Sequence, residues 1–112
     1  DFAILGGEDS LFPLHMAAGA KGGIIVTASM LPAFWVRMHD MLAAGDLAGA
    51  LALHRRAQPM MNAAFGETNP GPMKSVLDLF GIDAQKVLMP LDACQPERSA
   101  RLRAEVEKLL AA

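Results

Sequence analysis

The sequence predicts an α/β chain built on parallel strands, and three observations carry that expectation. Two apolar runs, Phe2 to Leu5 and Ile24 to Thr27, sit beside glycines; a short helix-forming stretch separates them; and beyond Gly45 the patterning is almost wholly of helical period. A strand, helix, strand order is a crossover, and such crossovers join parallel neighbours. The run Ile24, Ile25, Val26, Thr27 lacks the alternation of a half-exposed strand, so it is expected to be covered on both faces. Ala28 and Ser29 then lie at its carboxyl end, facing any site.

Composition bounds the rest. The 112 residues, 53% of them hydrophobic, suffice for about one ordinary domain. Ten basic residues against twelve acidic ones give no electrostatic footprint for nucleic acid or for an acidic membrane surface. The single cysteine, Cys94, excludes an internal disulfide and fits a reducing compartment. No apolar run approaches the ~20 residues that span a bilayer, and the first residues lack a basic leader. A soluble, cytoplasmic protein is expected. The chain begins at Asp1, directly on an apolar run, which predicts a piece of a longer protein.

In order, the first strand is expected over Phe2 to Leu5, stopped by Gly6 and Gly7 at a tight turn. Glu8, Asp9 and Ser10 supply capping oxygens for a short helix that tolerates Pro13 in its first turn and ends near Ala18 at Gly19. Gly22 and Gly23 lead into the second strand. A helix from about Leu31 to Ala44 follows, with Pro32 near its first position and Phe34, Trp35, Met38, Met41 and Leu42 at helical spacing. Gly45 stops it and Asp46 caps the next helix, which reaches about Phe65 with Leu47, Ala50, Leu51, Met61, Ala64 and Phe65 on its apolar stripe. Pro59 predicts a kink or break there. Met73, Val76, Leu77 and Phe80 stripe a third helix ended by Gly81. Pro96 to Leu110 makes a last one, with Leu102, Val106, Leu109 and Leu110 inward and Glu97–Arg101 and Arg103–Glu107 paired outside.

Two parallel strands cannot bury both of their faces, and two free edges present unpaired backbone groups. The chain must therefore borrow strands, from an upstream segment or from another copy. Composition shifts at Gly45, which places a boundary between residues 1–45 and an all-helical 46–112.

Read together, AILGGED, GAKGGIIVTAS, AAGDLAGALALHRR with the later Pro59, ETNPGPMKSVLDLFGI and VLMPL resemble the dihydrodipicolinate synthase and N-acetylneuraminate lyase family over nearly the whole chain. The element Asn69, Pro70, Pro72, Lys74 is the most telling. The resemblance implies the last two strands of a (β/α)8 TIM barrel, strands seven and eight, followed by a carboxyl-terminal helical segment. It also implies a class I aldolase-type lyase, in which a lysine amine forms a Schiff base with pyruvate or a related keto acid and no cofactor takes part. It further implies a homo-oligomer and, for dihydrodipicolinate synthase itself, a place in lysine biosynthesis.

No lysine of this chain fits that role. Chemistry in a barrel sits at the carboxyl ends of strands; Lys21 precedes its strand, and Lys74, Lys86 and Lys108 belong to the helical part. The resemblance puts the catalytic lysine on the sixth strand, upstream of Asp1, with a tyrosine proton donor, and this chain contains no tyrosine. It leaves here Gly7, whose missing side chain makes space beside the substrate; Ile24, whose backbone carbonyl faces the lysine amine; and Glu8 and Asp9, which contact the variable end of the substrate. Serine and asparagine are usual where this chain has Ile25 and Ser29. Sialic-acid-cleaving members carry glutamate and serine where this chain has Ser10 and Val26, which argues against a sialic acid. Leu88 replaces a common arginine, with a local salt bridge at stake. Dihydrodipicolinate synthase and a relative acting on another pyruvate adduct both stay open.

Other reactive residue types carry no site. His15, His39 and His54 lack the i, i+4 spacing of a metal pair and are expected to be solvated or singly hydrogen-bonded. Cys94 has no companion histidine at a nucleophile spacing, and Ser29 has no glycine-flanked elbow. The eight methionines are expected as core filler. The competing reading is a non-catalytic helical association module whose strands pair with another chain.

Overall fold

A computed structural model describes residues 1–112. Two compact units divide at Gln58 and Pro59. Residues 1–58 hold both strands, β1 (Leu5–Gly6) and β2 (Gly22–Gly23), which pair in parallel with Leu5 opposite Gly22 and Gly6 opposite Gly23. Between them run a single 3-10 turn at Asp9–Leu11 and helix α1 (Phe12–Ala17). The parallel α/β expectation holds in this form.

The strands are shorter and placed differently from the expectation. Phe2 to Leu5 is extended into the ladder only at its end, and Ile24 to Thr27 is not a buried strand. Ladder bonding passes one step beyond the pair, from Lys21 N–H to the Ile4 carbonyl at 2.9 Å and from Ile24 N–H to the Gly6 carbonyl at 2.8 Å. It then stops, because Val26 is already helical at φ −63°, ψ −49° and Thr27–Ser29 forms a 3-10 turn. Nor is the run covered on both faces, since Ile24 is 75% exposed. A β-branched run favours extended backbone, but here the chain has turned helical by Val26, and the Val26 and Thr27 N–H groups go to a side chain.

Helix α2 (Pro32–Ala43) follows, with Pro32 in its first turn as expected. Trp35 and Met38 are buried on it, and Trp35 meets Phe12 edge-on at 5.6 Å between ring centres. Glycine closes both helices the same way. Gly19 and Gly45 take φ of +103° and +83°, conformations an L side chain rarely adopts. At the end of α2, Gly45 N–H bonds the Leu42 carbonyl and Asp46 N–H the Met41 carbonyl, while Gly19 and Ala20 bond Met16 and His15 alike after α1. These paired bonds satisfy carbonyls that a helix end leaves over.

Helix α3 (Leu47–Ala64) starts where Asp46 Oδ1 accepts the Gly49 N–H at 2.9 Å. It is not broken at Pro59, which lies inside it. Its buried face carries Ala50, Leu53, Ala57, Met60, Met61, Ala63 and Ala64, whereas Leu47 and Phe65, assigned to the stripe from the sequence, are exposed. Residues 59–112 also contain α4 (Gly71–Lys74), a 3-10 turn at Leu77–Phe80 and α5 (Pro96–Leu110). The single helix expected across Met73 to Phe80 is thus two short pieces. Val76, at φ −120°, ψ 8°, interrupts it, and Gly81 at φ +71° ends the second piece. Met73, Val76, Leu102 and Val106 are buried. Arg103 reaches Asp78 at 2.6 Å instead of pairing with Glu107 along its own helix.

Candidate functional site

The chemistry-bearing residues of the first unit gather past the carboxyl ends of β1 and β2, where parallel α/β proteins build their sites. Gly7 follows β1 directly; it is exposed, and a Cβ built on it meets nothing within 4 Å. Glu8 caps the turn that follows, its carboxylate accepting from Ser10 N–H at 3.2 Å and Ser10 Oγ at 2.8 Å. The Ser10 hydroxyl, and next the Ser10 N–H, hold the Glu8 carboxyl below its ordinary value. Ile24 follows β2, with its N–H spent on Gly6.

Asp9 differs from its neighbours. It is 1% exposed. Oδ1 accepts the Val26 N–H at 3.0 Å, and Oδ2 accepts both the Thr27 N–H at 2.8 Å and the Thr27 hydroxyl at 2.6 Å. Its carbonyl oxygen lies 3.2 Å from Nε2 of the buried His54. This is the side chain that holds the end of the β-branched run. Thr27, His54 and Gly6 belong to the site region although their residue types suggest no role there, and His54 is hydrogen-bonded to the Asp9 carbonyl, in keeping with the expectation for it. A Cβ on Gly6 would lie 2.3 Å from His15 Nδ1. His54 stands 45 positions from Asp9, so no local pattern announces the pair.

The remaining candidates fall elsewhere. His39 contacts the Asp40 carboxylate at 3.2 Å, and His15 is neither solvated nor bonded at Nδ1, which is buried against β1 without a partner. Partial burial, then the charge of Glu67, push the Cys94 thiol above its ordinary value, away from the reactive thiolate. An apolar cleft of about 300 Å³ flanks β2, lined by Phe12, Gly23, Ile25, Pro32, Trp35 and Val36 among others. None of Gly7, Glu8, Asp9 or Ile24 lines it. Residues 59–112 hold a polar hollow beside Glu67, Thr68, Asp92 and Gln95, where Glu67 is engaged by the Gln95 N–H at 3.2 Å and by Arg98 at 3.1 Å. No three His, Cys, Asp or Glu residues group to hold a metal, and no helix is long and apolar enough to cross a membrane.

A parallel pair of strands whose polar residues collect at their carboxyl ends, followed by helices alone, defines an α/β chain. The chain belongs to the dihydrodipicolinate synthetase family, whose model matches residues 1–109. It is similar to 4-hydroxy-tetrahydrodipicolinate synthase of Methanoculleus marisnigri, with 37% identity over 103 residues that cover 92% of this chain and 35% of that protein. The same enzyme of Chlorobium phaeobacteroides is 37% identical over 97% of this chain and 37% of that protein. Among solved structures, dihydrodipicolinate synthase of Thermotoga maritima superposes with a TM-score of 0.91 at 30% identity, over 96% of this chain and 37% of that one. A structure described as the first monomeric dihydrodipicolinate synthase variant gives 0.90 at 28% identity, over 99% of this chain and 37% of that one. The chain spans little more than a third of the length of the curated relatives it matches.

Proposed function

We propose that this chain supplies the seventh and eighth strands and the carboxyl-terminal helices of a Schiff-base-forming lyase that condenses or cleaves pyruvate-type keto acids, as dihydrodipicolinate synthase does. The observation that carries the reading is the β1, α1, β2 unit with Gly7, Glu8 and Ile24 at its carboxyl end, in a chain of this family. Residues 1–45 form the barrel part and residues 46–112 a helical domain. In the whole cytoplasmic protein, a homo-oligomer, a lysine upstream of Asp1 attacks the keto carbon of pyruvate and water leaves as the Schiff base forms. Gly7 leaves room beside that adduct, the Ile24 carbonyl faces the amine, and Glu8 stands toward the second substrate.

Borohydride reduction in the presence of pyruvate tests this. The whole protein is expected to give a pyruvyl adduct on a lysine outside these residues, and the 112-residue chain none. An adduct on Lys21, Lys74, Lys86 or Lys108 would overturn the reading. Absence of any adduct in the whole protein would leave the association module in its place.

A further inference from the structure

The carboxyl ends of β1 and β2 are tied together by one side chain. Asp9 lies three residues past β1, and all three of its donors, Val26 N–H, Thr27 N–H and the Thr27 hydroxyl, lie just past β2, at 2.6 to 3.0 Å. Its own backbone is held from the other direction by His54 of α3. A buried carboxylate with both oxygens engaged cannot turn to a substrate without stranding two peptide N–H groups, each of which is costly to leave unpaired.

We infer that Asp9 is a positioning residue. It holds Val26 and Thr27 so that the Ile24 carbonyl, one peptide further back, keeps its place beside the exit of β1. This rests on the reading of the site given above, and it moves Asp9 from contact with the substrate to support of the groups that make that contact. The Ile24 side chain is exposed and its N–H is the last ladder bond, so beyond it the Asp9 clamp fixes where the backbone goes.

The test uses the whole protein with pyruvate as the probe. Thr27→Val removes one donor at nearly constant shape, and Asp9→Asn keeps one acceptor while turning the other oxygen into a donor. Both are expected to slow borohydride-trapped adduct formation at saturating pyruvate by roughly tenfold or more, the scale of one lost hydrogen bond to a charged group. The half-saturating pyruvate concentration should hold, and Thr27→Ser, which keeps the hydroxyl, should restore the rate. Amide exchange at Val26 and Thr27 should quicken in Asp9→Asn. Folded variants that trap pyruvate at the parent rate, or that lose only thermal stability, would overturn the role. So would a raised half-saturation at unchanged maximal rate, which marks a substrate contact. A parent protein that traps no pyruvate would overturn the lyase reading and this role with it, and is told apart by the unmutated control.

Discussion

Gly6 and Gly7 are neighbours under opposite constraints. A Cβ on Gly6 would lie 2.3 Å from His15 Nδ1 and 2.9 Å from its Cγ, so the ring must shift, whereas around Gly7 there is open space at ordinary φ. Gly6→Ala is expected to destabilise by about 1–3 kcal/mol, as overpacking does. Gly7→Val should stay within about 0.5 kcal/mol of the parent while lowering pyruvate trapping in the whole protein. Thermal melts beside trapping assays check both, and unchanged trapping in Gly7→Val would remove Gly7 from the site. In the sequence the pair reads as a turn; which glycine is packed depends on His15, across α1. Glu8 gives a pH prediction. Its carboxyl is held below its ordinary 4.5, so the stability it adds is present above 4.5 and is lost as pH falls through the lower folded value. The gap between parent and Glu8→Ala in urea melts should be constant near neutrality and close under acid conditions.

At the scale of elements, what was legible was whatever backbone chemistry decides alone. Gly19, Gly45 and Gly81 stop their helices at positive φ, and Pro32 and Pro96 begin α2 and α5, as their residue types dictate. What depends on distant partners was not legible. Ile24 to Thr27 has the composition of a strand, yet its second half turns helical and gives the Val26 and Thr27 N–H groups to Asp9, 17 and 18 positions away. Pro59, from which a kink or a break is expected, does not break its helix, for α3 passes through it. The ring deprives the Arg55 carbonyl of its partner in the next turn. Pro59 is exposed, so Pro59→Ala should stabilise α3 by about 1–3 kcal/mol, read as a higher urea midpoint. A lower midpoint would show that the ring contributes packing of its own.

For the molecule as a whole, a two-stranded sheet has two open edges, and the apolar residues beside them are uncovered: Phe2 is 88% exposed, Ile4 62% and Ile24 75%. Apolar surface is worth roughly 25 cal/mol per Å² when buried, and open edges pair readily with other chains. The 112-residue chain alone is therefore expected to self-associate with rising concentration, and Ile24→Lys to weaken that association, by sedimentation velocity. A monodisperse monomer at high concentration would show that these surfaces need no cover. The sequence made the need for further strands legible because two strands cannot cover themselves. It did not reveal that the paired stretch is so short, since the turn at Val26 is joined to a carboxylate 17 positions away.

The contacts of Glu8 and Asp9 also imply an order of assembly. They close loops of increasing size: 2 residues to Ser10, 18 to Thr27 and 45 to His54. Loop closure costs grow only as the logarithm of length, so going from 18 to 45 adds about 0.8 kcal/mol when each closes independently. Once the strand ends are knotted together, the segment still free to wander before His54 docks is much shorter than 45 residues. Nascent chain leaving a ribosome would meet these partners in the same sequence, the turn first, the strand tie next and the helix last. The bond from His54 is then the final latch of the strand end, the last of the three to form.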